Sequence, residues 1–309
     1  MGSQPIRVVY LLGSARSGST ILSAILGTHP DSAAVGELSR LTFDVEGKPR
    51  ICSCGKLVWQ CERWHQVRED WSPRLEPWTV DDYTRTLARY SRPAQAPSLL
   101  WAQRRASPDL QALLDSTLKL LESIQSGFSS SIIVDSSKSL TRALMYAMIP
   151  DLDLRIVHLV RDVRGYVWSR SQLRRRSSQS DFGSRSAGAR AVWLAIRWNL
   201  MNLASGWAAR RSGSPRMQLR YEDFVTSPRT SLLPLGEFMG VDLQSVVEQV
   251  EGEDEFDFDH IVSGNLVRLT GPTRVNFDET WRHALTRWQQ RLIWLSGLPF
   301  SSLCGYPPW

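Results

Sequence analysis

The chain has 309 residues, of which 42% are hydrophobic and 22% are charged. This composition excludes a disordered protein and allows a large buried core. The formal net charge of +6 favours an anionic ligand, with nucleic acid or a membrane surface as alternatives. The longest apolar runs have the length of strands, and a motif begins at residue 13, so we expect no membrane span, no signal peptide and a cytoplasmic protein.

Strands and helices alternate along much of the chain. The hydrophobic pattern predicts strands over 6–12, 32–35, 131–135, 154–160 and 216–220. It predicts helices over 18–28, 80–91, 108–126, 140–149, 163–175, 189–211, 228–240 and 283–296, and irregular structure over 43–78 and 251–280. The alternation indicates an α/β, P-loop-like three-layer fold with a central, mostly parallel sheet flanked by helices. Because no repeat or linker interrupts it, we expect a single domain over 1–309.

Polar residues follow each predicted strand. They are Gly13 to Thr20, Gly36-Glu37, Asp135 to Lys138, Arg161-Asp162 and Tyr221. Ligands of parallel α/β proteins bind outside the carboxyl ends of the strands. We therefore expect these residues to converge on one site.

The segment from Gly13 to Thr20, GSARSGST, has the spacing of a P-loop with Ser19 in place of the lysine. Backbone N–H groups and the helix N-terminus still form an anion cradle, and Arg16 restores a cation. A tight turn without a ligand is one alternative. Another is a kinase or other NTPase that uses ATP and Mg²⁺, for which Asp135 or Asp162 would bind the metal; the missing lysine argues against it.

Four blocks of sequence resemble those of sulfotransferases that use 3′-phosphoadenosine-5′-phosphosulfate (PAPS). SARSGSTIL (14–22) resembles their 5′-phosphosulfate loop, and LVRDVRGYVWSR (159–170) resembles their 3′-phosphate motif. LRYEDF (219–224) matches a third block, and SGNLVR (263–268), with Asp278 and Trp281 beyond it, is similar to the C-terminal block of bacterial members. The resemblance covers most of the chain and points to bacterial-type enzymes related to tyrosylprotein and carbohydrate sulfotransferases.

This resemblance implies roles for the cofactor-binding residues. Arg16, Ser17, Gly18, Ser19 and Thr20 would hold the 5′-phosphosulfate; Arg161 and Ser169 would hold the 3′-phosphate; Tyr221 would lie near the adenine, and Arg268 would close over the nucleotide. The residues by themselves leave alternatives open. Arg161 can instead form an ion pair with Asp162 or Asp135, and Tyr221 can be a core tyrosine.

The resemblance also implies the catalytic groups. In tyrosylprotein and several bacterial sulfotransferases a Gly-Glu pair after the first helix carries the base, and Gly36-Glu37 matches it. The alternative for Glu37 is a carboxylate that starts a helix. Lys138 resembles the lysine of the same families and, with Arg16, would stabilise the leaving oxygen. The implied reaction moves a sulfuryl group from PAPS to a hydroxyl or amine, releases 3′-phosphoadenosine-5′-phosphate (PAP) and requires no metal.

Three cysteines and a histidine lie in the pattern Cys52-x-Cys54-x₆-Cys61-x₃-His65. Such a set can be read as a zinc site, but the C-x-C spacing is unusual for one. We therefore expect a disulfide or free thiols and no metal.

The expected acceptor is a small molecule, a natural product or a carbohydrate, in a pocket shaped by an excursion over 43–105 and by the loop 176–188. A basic nucleic-acid-binding protein is the less favoured alternative. It would use the triplet Arg174-Arg175-Arg176. The Ser-rich loop after that triplet favours a solvated segment instead.

Overall fold

The core of the protein is a sheet of five parallel strands. In this computed structural model the described residues are 5–43, 50–102, 105–175 and 185–308. The strands are β1 (Ile6–Gly13), β2 (Ser32–Gly36), β3 (Ile132–Asp135), β4 (Leu152–Val160) and β5 (Arg216–Arg220), in the spatial order β2-β3-β1-β4-β5. All four pairings are parallel. The five predicted strands are therefore confirmed.

Helices cover both faces of this sheet, as the α/β prediction requires. They are α1 (Ser19–Gly27), α2 (Glu62–Trp71), α3 (Val80–Tyr90), α4 (Ala96–Ala102), α5 (Pro108–Phe128), α6 (Leu140–Tyr146), α7 (Val163–Arg175), α8 (Arg185–Arg211), α9 (Tyr221–Thr226), α10 (Pro228–Met239), α11 (Gln244–Glu251), α12 (Thr280–Ala284), α13 (Arg287–Ser296) and α14 (Phe300–Leu303). Two short strands, β6 (Glu255–Phe256) and β7 (Thr273–Arg274), form an antiparallel ribbon. Within the described ranges, no helix is both long and apolar enough to cross a bilayer.

The alternation of side chains along β1 produces the three layers. Val8 and Tyr10 pack into a cluster that includes residues of α2, α3, α5 and α6. Val9 and Leu11 point the other way, into a cluster with residues of α1, α10 and α11. Because a central parallel strand is buried on both faces, its sequence is a continuous apolar run, and this is why the strand could be predicted.

The prediction of irregular structure over 43–78 is wrong for its second half, where α2 lies. Trp64, Val67 and Trp71 are fully buried and are spaced at i, i+3 and i+7, which is one face of a helix. The prediction of one helix over 283–296 is confirmed from residue 287 onward and is wrong at its start. Two helices occupy this region, because Thr286 and Gln289 form a capping box that starts α13 afresh.

A buried histidine of β4 is expected to make the stability depend on pH. The Nε2 atom of His158 donates to Oδ1 of Asn202 at 3.3 Å, and its ring packs near Phe300. Burial lowers the pKa of His158 from 6.5 to about 4. Between pH 6.5 and about pH 4 the imidazole is therefore protonated in the unfolded chain but neutral in the folded chain. Stability should fall as the pH decreases through this window.

We expect this histidine to remove about 2 kcal/mol from the free energy of unfolding between pH 7 and pH 5. Urea unfolding at the two pH values measures the loss. His158→Gln should reduce the loss by about that amount, whereas His283→Gln, at an exposed position, should keep the wild-type pH dependence. An unchanged pH dependence in the His158 variant would contradict the assignment.

Candidate active site

All five strands of the sheet deliver residues to one cavity. The loop Gly13 to Thr20 begins at the end of β1, Glu37 follows β2, Lys138 follows β3, Arg161 follows β4, and Tyr221 follows β5. Ala15, Arg16, Gly18, Ser19, Thr20, Ile21, Glu37, Lys138, Arg161, Tyr221, Gly264, Asn265 and Leu266 line the cavity. Its volume is about 360 Å³, which suits a small organic ligand. The structure thus brings together most of the residues that the sequence singled out.

The loop after β1 has the geometry of an anion-binding turn. Gly18 has a φ of 92°, and a Cβ atom added to it would lie 2.3 Å from Cδ2 of Tyr221. Only glycine therefore fits here, both for its backbone conformation and for the ring packed against it. Helix α1 begins at Ser19, and its first N–H groups have no partner inside the helix. Together these groups form the anion cradle that the sequence predicts.

Two buried side chains near the loop have donors that no described residue satisfies. Ser17 is 1% exposed, and its Oγ atom has no hydrogen-bond partner. Arg268 is 7% exposed, and its Nε and Nη1 atoms have none either. Burial also lowers the pKa of the Arg268 guanidinium. Unsatisfied buried donors are costly, so a bound anionic group fits this region of the protein.

The carboxylate of Glu37 and the ammonium of Lys138 form an ion pair inside the cavity. The Nζ atom of Lys138 lies 2.9 Å from Oε1 of Glu37 and donates to Oγ of Ser19 at 3.0 Å. This bridge exists because β3 lies between β2 and β1, so that the loop after β3 reaches both neighbours. Arg40 also contacts Glu37, with its Nε atom 3.0 Å from Oε2. The two candidate catalytic groups are therefore in direct contact, a pairing that the sequence did not predict.

The C-terminal block of the resemblance lies against the same residues. The backbone N–H of Glu37 donates to the carbonyl of Ser263 at 3.1 Å. The N–H of Asn265 donates to Oγ1 of Thr20 at 3.2 Å. The segment 263–268 therefore connects the carboxylate after β2 with the phosphate loop, and it places Arg268 beside them.

Two arginines and a tyrosine also line the cavity, and Ser169 lies behind one of them. The Nε atom of Arg16 donates to Oγ of Ser169 at 2.9 Å. The guanidinium of Arg161 lies 4.4 Å from the ring centre of Tyr221, and its Nη2 atom is 3.3 Å from Oδ2 of Asp278. Burial raises the pKa of the Tyr221 hydroxyl. A basic, aromatic corner results, which suits a phosphorylated nucleoside.

The two aspartates considered as magnesium ligands have other partners. Asp135 accepts hydrogen bonds from Nε of Arg142 at 3.0 Å and from the hydroxyl of Tyr146 at 2.7 Å. Asp162 pairs with Nη2 of Arg164 at 2.6 Å. Neither aspartate lines the cavity, and the ion-pair partner of Arg161 is Asp278. The carboxylate expected of a magnesium-dependent NTPase is thus not presented by either of them.

His65, the histidine of the cysteine pattern in the sequence, does not join the cysteines in the structure. His65 is exposed on α2 and stands apart from the sulfur atoms. His260 is the histidine that meets Cys52, Cys54 and Cys61, and no disulfide joins these three cysteines. It lies 199 residues beyond Cys61, so no local spacing could have indicated it.

Two further predictions fall largely on residues that are not described. Residues 176–184 of the loop 176–188 lie outside the described ranges, as do the side chains of Arg174, Arg175 and Arg176. The acceptor-shaping role of the loop and the nucleic-acid alternative therefore stay as predictions.

A parallel sheet with a glycine loop between its central strand and helix α1 defines a P-loop-like α/β protein. The model of the sulfotransferase family matches residues 8–245. The chain therefore belongs to the sulfotransferase family and is a transferase, as its motifs indicated.

Solved structures support the same fold. The sulfotransferase domain of the Synechococcus PCC 7002 olefin synthase is 20% identical, covers 94% of each chain and has a TM-score of 0.50. The sulfotransferase domain from the curacin biosynthetic pathway is 15% identical, covers 99% of each chain and has a TM-score of 0.52. No curated protein sequence matches this chain.

Proposed function

We propose that this protein transfers the sulfuryl group of PAPS to a hydroxyl or amine of a small-molecule, natural-product or carbohydrate acceptor and releases PAP. The observation that carries this proposal is the convergence of the phosphate loop with the Glu37–Lys138 pair in one cavity. An anion site adjoins a carboxylate there, which is the arrangement that group transfer to a hydroxyl requires.

The nucleotide would be held by the residues on both sides of the cavity. The loop amides and the hydroxyls of Ser17, Ser19 and Thr20 would bind the 5′-phosphosulfate. Arg161 would bind the 3′-phosphate together with Ser169. Tyr221, packed on Gly18 and under Arg161, would lie beside the adenine. Arg268, with two unsatisfied donors, would add a cation when the nucleotide is in place. The resemblance to PAPS-dependent sulfotransferases implies each of these roles.

When bound, PAPS supplies the sulfuryl group and a phosphate leaving group. Glu37 would accept the proton of the acceptor hydroxyl or amine. Lys138, which already contacts Ser19 of the loop, would meet the negative charge on the leaving oxygen, with Arg16 and the loop amides. Positioning and electrostatic stabilisation would supply most of the rate enhancement, as in phosphoryl transfer. The proposed steps use no metal.

Nucleotide choice tests the proposal directly. PAP should raise the melting temperature without added metal, whereas ATP with Mg²⁺ and an oligonucleotide should have little effect. Arg161→Ala should weaken PAP binding by about 1.5–3 kcal/mol, the scale of a charge-assisted hydrogen bond. Isothermal titration of PAP and AMP into both proteins gives the numbers. Since AMP lacks the 3′-phosphate, it should bind weakly to both.

A surface arginine provides the matched control. Arg85 is 77% exposed in its side chain and lies on α3, so Arg85→Ala should bind PAP like the wild type. Equal affinity of the wild type for AMP and PAP would show that the 3′-phosphate assignment is wrong. Stabilisation by ATP with Mg²⁺ in preference to PAP would favour the kinase alternative.

A further inference from the structure

A cluster of three sulfur atoms and one nitrogen lies outside the proposed catalytic machinery. The Sγ atoms of Cys52, Cys54 and Cys61 and a ring nitrogen of His260 all lie within 4.8 Å of one another. The Nδ1 atom of His260 is 3.1 Å from Sγ of Cys61 and 3.7 Å from Sγ of Cys52. Such convergence of four ligating atoms from two distant parts of the chain needs a physical explanation.

The backbone holds the cysteines in place without using their side chains. A β-bridge joins Ile51 to Leu57, and the N–H of Cys52 donates to the carbonyl of Lys56 at 2.9 Å. Gly55, with a φ of 85°, completes the tight turn between them. Cys61 follows at the N-terminus of α2. The turn and the helix start thus direct three sulfur atoms to one point.

The histidine is oriented so that Nδ1 faces the sulfur atoms. Its other ring nitrogen, Nε2, lies 3.4 Å from Oδ1 of Asp259. Its carbonyl accepts a hydrogen bond from Nε1 of Trp64 at 2.7 Å, which fixes the backbone. A carboxylate beside the second nitrogen is the usual partner of a metal-binding histidine, because it selects the tautomer and the ring orientation.

The dimensions of the cluster fit a tetrahedral zinc ion. Zinc bonds of about 2.3 Å to sulfur and about 2.0 Å to nitrogen place ligand atoms about 3.5–3.8 Å apart. The separations in the cluster bracket this range. A disulfide joins only two sulfur atoms, and it leaves the third thiol and the imidazole unexplained. We propose that Cys52, Cys54, Cys61 and His260 bind one Zn²⁺ ion in a closed, structural site.

The zinc site would join the excursion over 43–105 to the segment 260–268, which lies against the candidate active site. Ser53 and Ile261 are joined by two hydrogen bonds, one of 3.1 Å from the N–H of Ser53 and one of 2.8 Å to its Oγ atom. One residue further, the N–H of Val262 donates to β2 at 3.2 Å, and Ser263 then accepts from the N–H of Glu37. Zinc at His260 therefore positions the backbone that reaches the carboxylate and the phosphate loop.

Metal analysis of the purified protein tests the site independently of any sulfotransferase activity. Protein expressed with zinc and purified without chelators should contain about one zinc ion per chain by elemental mass spectrometry. His260→Asn and Cys61→Ser should lose most of it. Two variants serve as matched controls and should keep it: His65→Asn, the nearer histidine in sequence, and Cys304→Ser, the cysteine outside the cluster.

A second measurement holds even if the ligand variants fail to fold. Wild-type protein loaded with Co²⁺ in place of zinc should show thiolate-to-cobalt charge transfer and the intense d–d bands of a tetrahedral site. The proposal would be overturned if purified wild-type protein contained no zinc and also gave no such spectrum when Co²⁺ was added. Retention of zinc by folded His260→Asn would also overturn it, as would a disulfide between two of the three cysteines in protein purified under reducing conditions. Loss of nucleotide binding alone would count against the proposed function and not against the zinc site.

Discussion

Glu37→Gln is expected to lower kcat by about 10²–10⁴, the usual contribution of a general base. Glutamine keeps the shape of the side chain but cannot accept the proton of the acceptor. PAP affinity should hardly change, because the carboxylate adjoins the anion cradle without belonging to it. Steady-state kinetics with a purified acceptor and titration of PAP measure the two quantities separately.

Acceptors of different pKa provide a second test of the role of Glu37. An acceptor hydroxyl of low pKa loses its proton more easily, so it should recover part of the rate of the Glu37→Gln variant. Glu37→Asp, which keeps the charge on a shorter side chain, should retain more activity than the glutamine variant. Near-normal turnover of Glu37→Gln on a natural acceptor would mean that the base is another residue.

Lys138→Ala is expected to lower kcat by about 10²–10³, similar to the loss of one oxyanion donor. The ammonium would stabilise the leaving oxygen, whose charge does not depend on the acceptor, so acceptors of low pKa should not restore the rate. Lys138→Arg should restore only part of the activity, because a planar guanidinium replaces a compact charge held between Glu37 and Ser19.

The Glu37–Lys138 ion pair predicts that the effects of the two substitutions are not additive. Since Nζ of Lys138 lies 2.9 Å from Oε1 of Glu37, the double variant Glu37→Gln/Lys138→Ala should lose less than the sum of the two single losses. Each single variant already disturbs the partner that remains. Strict additivity, within about 0.5 kcal/mol, would show that the two groups act independently during the reaction.

The amino-acid sequence was sufficient to predict the fold and the edge of the sheet at which the candidate site lies. The apolar run of β1 and the glycine spacing of the loop after it are local patterns, and local patterns can be read from neighbouring residues. Arg161 and Lys138 could be placed for a related reason. Each follows a predicted parallel strand, and such strand ends meet at one edge of the sheet.

Helix α2 is an element that the sequence did not predict. Its buried tryptophans were present in the sequence, but Cys, Gly and Pro residues around them favoured an irregular segment. Tertiary burial of Trp64 and Trp71 outweighed those local preferences. The same holds for α13, whose start depends on a cap at Thr286 that the apolar pattern does not show.

Only the tertiary structure decided which distant side chains meet. The Glu37–Lys138 pair requires β3 to lie between β2 and β1. The sequence of a single strand does not determine its place in the sheet. Asp278 is the partner of Arg161 although it follows it by 117 residues. His260 joins Cys52, Cys54 and Cys61 in place of the nearer His65. Contacts between residues far apart in the chain depend on the packing of the whole core, so the local spacing of residues does not predict them.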